Sequence, residues 1–171
     1  MKHVALLRGI NVGGNRKVPM KDLKATFERL GFRGVQTYIQ SGNVVFQAEK
    51  VDQAAIEEAL RLEFGFPVDV MLRSAAEWSA LAPRNPYPAQ AAADGTKVHV
   101  AFLHQVPTAE RLDALSARAS GEDTWVCLGR ELYLHTPGGL GQSKLNLTPL
   151  KQAATVRNWR TVENIGELLE K

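Results

Sequence analysis

The sequence predicts an α+β fold of two ferredoxin-like lobes, each of βαββαβ type, in one compact chain. Three observations carry this expectation. Short apolar or alternating runs suited to strands are interleaved with runs of helical period. Glycine and proline punctuate them where turns and helix ends belong. The order of elements in the first half recurs in the second. With 171 residues, 44% of them apolar and 23% charged, the chain has the composition of a globular protein and buries a core without disulfide or metal support.

Val4 to Leu7 is a nearly continuous apolar run, the pattern of a central strand covered on both faces. A loop with three glycines follows, and Pro19 opens a helix on which Met20, Leu23, Phe27 and Leu30 form one apolar stripe closed by Gly31. Val35–Gln40 and Asn43–Gln47 predict a hairpin turning at Ser41-Gly42. A helix over Val51 to Phe64 carries Ile56, Leu60 and Phe64 at spacings of four and ends at Gly65. Val68, Val70 and Leu72 alternate with Asp69, Met71 and Arg73, the period of a half-buried strand.

A short helix is expected over Ala75 to Leu81. The proline-rich stretch from Pro83 and the small residues after it predict a connection over 83–96, between a first lobe at 1–82 and a second at 97–171. In the second lobe Lys97–Leu103 predicts a strand, Pro107 starts a helix, and Thr124–Leu128 and Glu131–His135 form a hairpin about Gly129-Arg130. Ser143 is placed to cap a helix through about Ala153, and Thr161 to Glu170 predicts a final helix. No residue-level repeat stands out, so the duplication is read as one of topology. A single α+β sheet without internal symmetry is the alternative.

Function classes narrow on composition. Cys127 is the one cysteine, which excludes an internal disulfide and, with no apolar run of signal-peptide or membrane length, gives a cytoplasmic expectation with no membrane partner. Its apolar strand makes it an inert core thiol rather than a nucleophile. The scattered histidines His3, His99, His104 and His135 offer no metal-ligand spacing, so neither a metal nor a cofactor is expected. Charge is uneven. Residues 1–40 hold eight Lys/Arg against Asp22 and Glu28, and residues 41–72 hold two against six acids. Such asymmetry suits an anionic partner or an unevenly charged solvated surface.

Two glycine loops precede predicted helices. Arg8 to Lys17 combines Gly9, Gly13 and Gly14 with Asn11, Asn15, Arg16 and Lys17. Free helix N-terminal N–H groups and close backbone approach at glycine suit a phosphate or carboxylate. The spacing fails both the P-loop and the dinucleotide fingerprints, and a purely structural turn stands as the other reading. Gly138 to Lys144 has the same character. Gln40-Ser41-Gly42-Asn43 is a hairpin turn before it is a site. Arg157-Asn158-Trp159-Arg160 joins cations to an indole, a combination that serves base stacking or ordinary packing.

Leu6-Leu7-Arg8-Gly9-Ile10-Asn11-Val12-Gly13-Gly14, then Val18-Pro19-Met20, resembles the opening signature of a bacterial family designated domain of unknown function 1697. Tyr38 to Val44 resembles its second motif, and Lys144-Leu145 and Arg157-Asn158-Trp159 its later ones. The resemblance implies two ferredoxin-like lobes and no established activity. It implies site residues at Arg8, Asn11, Gly13, Gly14, Lys17, Ser41, Gly42, Asn43, Lys144, Arg157, Asn158 and Trp159. The leading expectation is a binding module for a phosphate-bearing ligand, nucleic acid or a nucleotide-like metabolite, in a basic inter-lobe cleft. An enzyme on a small anionic substrate and a protein-interaction domain are the alternatives. The oligomeric state has no signature in the sequence.

Overall fold

The computed structural model describes residues 1–39, 41–117, 121–140, 143 and 145–171. Its element order is β1 (Lys2–Leu7), α1 (Met20–Arg29), β2 (Arg33–Tyr38), β3 (Asn43–Gln47), α2 (Gln53–Phe64), β4 (Val70–Ser74), α3 (Ala75–Ser79), α4 (Leu81–Arg84), α5 (Pro88–Ala93), β5 (Val98–Leu103), α6 (Ala109–Ser116), β6 (Thr124–Leu128), β7 (Glu131–His135), a 3-10 turn (Thr148–Leu150), β8 (Ala154–Asn158) and α7 (Trp159–Glu170). The chain divides into two units, one of Met1–Ala80 with Ile165–Lys171, the other of Leu81–Asn164. The stretch read as a connection, 83–96, therefore groups with the second unit and carries α5, and the end of the last helix groups with the first. No helix among the described residues is long and apolar enough to cross a membrane.

In the first unit the antiparallel sheet runs β2-β3-β1-β4. This is the ferredoxin-like order, with the apolar β1 at its centre as its composition requires. One sheet face, built from Ala5, Leu7, Val44, Phe46 and Val70, packs on Leu23 and Phe27 of α1 and on Ile56 and Leu60 of α2. The aromatic centre is tight, with Phe46 stacked on Phe32 at 4.5 Å and meeting the edge of Phe27 at 5.4 Å. The carboxylate of Asp52 accepts from the N–H groups of Ala54 and Ala55 to start α2, and left-handed Gly65 ends it. The acidic segment also answers the basic one within this unit, since Arg29 of α1 pairs with Glu63 of α2 at 3.0 Å.

One expectation fails in β4. Its alternation reads as half-buried, yet Met71 and Arg73 are as buried as Val70. Both faces of the strand are covered, and Arg73, only 2% exposed, is the largest fully buried side chain among the described residues.

The second sheet runs β6-β7-β5-β8, the same order shifted by four strands. Gly129, at φ 65°, makes the two-residue turn between β6 and β7 that its position predicts. The helix expected from Ser143 to Ala153 is not formed among the described residues; only the 3-10 turn at Thr148–Leu150 is helical. Pro149 lacks the N–H that a helix interior needs, and the Asn146 side chain takes both the N–H and the hydroxyl of Thr148. Leu145, Leu147 and Leu150 of this loop pack on the sheet face where the first unit has α2.

The duplication also extends to residues, which corrects the reading of topology alone. His3-Val4-Ala5-Leu6-Leu7 of β1 and His99-Val100-Ala101-Phe102-Leu103 of β5 agree at four of five positions and hold the same places in their sheets. Arg73 of β4 stands opposite Val4, and Arg157 of β8 stands opposite Val100. Each guanidinium donates from Nη1 to the carbonyl of the residue before it, at 2.8 and 3.1 Å.

Candidate functional site

The first glycine loop is shaped by its own hydrogen bonds. Asn15 N–H donates to Val12 O at 2.9 Å, closing a turn whose two central residues, Gly13 and Gly14, lie at φ 55° and 79°. Positive φ at both positions is the type I′ requirement, which glycine meets without strain. Asn11, itself at φ 54°, uses its side-chain amide as a second backbone: Oδ1 accepts from Val18 N–H at 2.8 Å and Nδ2 donates to Val18 O at 3.1 Å. Arg16, outside the residues the family resemblance singles out, clamps the loop. Its guanidinium donates to Gly9 O and Pro67 O and lies 4.7 Å over the Phe66 ring.

These bonds consume donors that a phosphate cradle would need. The N–H groups of Arg8, Asn11, Asn15 and Val18 already donate to Asp69 O, Arg16 O, Val12 O and Asn11 Oδ1. Arg8 also pairs with Asp69 at 3.5 Å, both half exposed. The loop therefore owes its glycines to a turn. Asn11→Ala removes both bonds to buried Val18 and places alanine at positive φ. It is expected to destabilise the protein by about 2–3 kcal/mol, read from the urea midpoint.

The Ser41-Gly42-Asn43 motif is equally structural. Asn43 is fully buried and donates from Nδ2 to Tyr38 O and Ser41 Oγ, which fixes the hairpin turn. Gly42, at φ 92°, packs so closely that a Cβ would lie 2.7 Å from Ile10 Cδ1 and 2.9 Å from Leu7 Cβ. Leu7 N–H donates to Gly42 O at 2.9 Å, so this turn and the first loop are brought together within one unit. Gln40 lies outside the described residues.

In the second unit Arg157 is buried, donating to Thr155 Oγ1 at 2.7 Å. Desolvation pulls its guanidinium down to about 10, so it remains charged at neutral pH. Asn158 Oδ1 accepts from Thr161 N–H at 2.9 Å and caps α7. Trp159, only 6% exposed, opens that helix. A stacking face for a base does not fit such burial, and the Arg157-Asn158-Trp159 motif is a strand-to-helix junction. Ser143 donates to Asp123 at 2.5 Å and accepts from Leu145 N–H. Without a following helix, this loop has no helix N-terminus to offer an anion. Lys144 lies outside the described residues. The Cys127 thiol is half-buried, and burial first, then Glu131, pushes its pKa up, which suits an unreactive thiol.

The signature described as "Protein of unknown function (DUF1697)" matches residues 1–133. The chain belongs to the DUF1697 family. Among curated proteins none matches it. A solved structure similar to it is that of the conserved bacterial protein SP0830 from Streptococcus pneumoniae, 24% identical, covering 98% of each chain with a TM-score of 0.76. At that identity the likeness speaks for the fold.

Within this DUF1697 chain, Lys17 stands apart from the other motif residues. It is exposed, has no ion-pair or hydrogen-bond partner among the described residues, and lines a hollow of about 370 Å³ with Asn11, Gly14, Val18 and Pro19. Pro19 is the N-cap of α1, so the hollow adjoins that helix's N-terminus. Lys21 and Lys24 follow on the exposed face of α1, likewise without an acid partner among the described residues. Asp22, in the first turn, offsets part of this charge.

Proposed function

We propose that this protein is a binding module for a phosphate-bearing ligand, nucleic acid or a nucleotide-like metabolite, held at Lys17 beside the start of α1. The observation that carries the reading is the unpartnered Lys17 ammonium in its hollow. The first-turn N–H groups of a helix and its dipole add to the attraction for an anion. Lys21 and Lys24 extend the positive face along α1 and suit a polyanion more than a single small group. The described residues around the hollow include no carboxylate, imidazole or thiol, so the reading is of binding and not of catalysis.

The test is fluorescence polarisation with labelled single-stranded RNA, single-stranded DNA and duplex DNA, with a labelled adenine nucleotide beside them, at low and physiological salt. Binding is expected to weaken with salt. In Lys17→Ala the slope of log affinity against log salt should fall by about 0.7–0.9 for one lost phosphate contact. An unchanged slope would place the anion elsewhere. No binding of any probe at low salt would end the proposal.

A further inference from the structure

The two sheets end in unequal edges. The edge strands are β2 and β4 in the first sheet and β6 and β8 in the second. A bare edge presents unpaired N–H and C=O groups, and proteins blunt such edges with charge, proline or bulges. β2 is blunted: it begins Arg33-Gly34, Gly34 lies at φ 58°, and its register with β3 shifts between Arg33 and Gln36. β4 and β8 carry Arg73 and Arg157. β6 holds the place of β2 in the second sheet and has none of these devices. It reads Thr124-Trp125-Val126-Cys127-Leu128, uncharged and without proline, and pairs with β7 in unbroken register.

The ladder fixes which groups of β6 face outward. At the two ends of β7, Arg130 O accepts from Leu103 N–H and Thr136 N–H donates to Lys97 O, so the even-numbered positions bond toward β5. The odd ones, Glu131, Tyr133 and His135, bond to Leu128, Val126 and Thr124 of β6. The backbone N–H and C=O groups of Trp125 and Cys127 therefore point away from the sheet. Among the described residues no second strand or bridge pairs with them.

Charge stands at both ends of this strand. Glu122 and Asp123 precede it, and Arg130 follows it. Glu122 is exposed, with no ion-pair partner among the described residues. When two such strands lie antiparallel with Val126 opposite Val126, the outward groups of Trp125 meet those of Cys127. The same register brings Glu122 level with Arg130 of the second copy, and Arg130 level with its Glu122. Centring the pair on Trp125 or on Cys127 loses the charge match. The strand is complementary to itself in one register, in hydrogen bonds and in charge.

We propose that β6 is an interface for a second copy of this chain, joined antiparallel about a twofold axis at Val126, so that two four-stranded sheets become one. Trp125 exchanges both backbone bonds with Cys127 of the second copy, and the two Val126 side chains meet as a non-hydrogen-bonded pair. Twofold pairing uses this edge on both copies and closes the assembly. A single strand pair is a small interface, so monomer and dimer interconvert with concentration.

The test is sedimentation equilibrium of the full chain over a concentration series, with amide hydrogen exchange followed by NMR at low and high concentration. A reversible dimer is expected. The Trp125 and Cys127 amides should exchange more slowly as it forms, whereas Val126, bonded to Tyr133 in the monomer, should change little. Glu122→Arg and Arg130→Glu should each weaken self-association about tenfold, because attraction becomes repulsion at both symmetric contacts. Mixing the two variants restores opposite charges and should recover association as a heterodimer. Circular dichroism checks that both variants are folded. If Arg130→Glu is not, the Glu122→Arg loss and the wild-type amide protection read the same contact. A monomer at every concentration, a dimer whose Trp125 and Cys127 amides exchange as fast as in the monomer, or folded variants that associate no better mixed than alone would each overturn the proposal.

Discussion

Gly42→Val is expected to cost about 4 kcal/mol or more and to leave the first lobe largely unfolded at 37 °C. Two costs add. A β-branched residue at φ 92° sits in a region that L side chains avoid. Its Cβ would also arrive 2.7 Å from Ile10 Cδ1 and 2.9 Å from Leu7 Cβ, both buried, where overpacking alone costs about 1–3 kcal/mol. Gly42→Ala isolates the first-atom clash and should cost about 2–4 kcal/mol in urea unfolding. Gly139→Ala is the matched control. Its φ is 87°, but a Cβ there would meet only Lys97 Nζ at 3.7 Å, so it should lose about 1 kcal/mol. Adding Ile10→Val to Gly42→Ala removes the nearest clashing atom and should recover part of the loss, a coupling between neighbours. Equal costs at Gly42 and Gly139 would mean that the turn relaxes away from Ile10 in solution.

The second large effect is expected at the paired arginines. Arg73→Ala and Arg157→Ala each empty a buried position that a long side chain fills and remove a charge the surroundings are arranged to receive. Each should cost about 3–5 kcal/mol. Methionine keeps most of the apolar stem, so Arg73→Met and Arg157→Met should be milder than the alanine variants by about 1–2 kcal/mol. Lysine is not a conservative exchange here, because it loses the planar fork. The measurement is the denaturant midpoint with the slope checked for two-state behaviour. A loss below about 1 kcal/mol for Arg73→Ala would show that the guanidinium reaches water in solution.

The sequence was most legible where one pattern governs one element. The β1 run, the α1 stripe and the Gly129-Arg130 turn each follow from local composition and emerged as expected. The β4 alternation misled because it records which residues are apolar, whereas burial of Met71 and Arg73 depends on what covers the second face. The helix expected after Ser143 is not formed because Pro149 lacks the N–H that a helix interior needs and Asn146 competes for Thr148. The His-Val-Ala repeat is short, and a match at four of five positions gains weight only because both segments are the third strand in equivalent sheets.

The candidate site was legible as residues but not as roles. Asn11, Asn43, Asn158 and Arg157 have polar side chains that fit ligand contacts and structural caps equally well from sequence. In the structure all four are hydrogen-bonded within their own lobe. The glycines likewise satisfy backbone demands, at the type I′ turn and at the Ile10 contact. Lys17 differs from them in that none of the described residues pairs with its charge. The buried His99 Nδ1, without a hydrogen-bond partner among the described residues, has no sequence signature.

The unit that holds the first lobe is discontinuous in the chain, since Met1–Ala80 needs Ile165–Lys171 to be whole. Lys2, in the first strand, donates to the carbonyls of Leu169 and Lys171 in the last helix, and Ile165 is fully buried. Synthesis runs from the N-terminus, so the ribosome finishes residue 80 roughly 5–20 s before it supplies the closing segment, at about 5–20 residues per second. During that interval the nascent lobe carries its sheet and the helices α1, α2 and α3 without the segment that completes it. Of the two lobes, the one begun first is the one completed last, with residues 165–171 as its clasp.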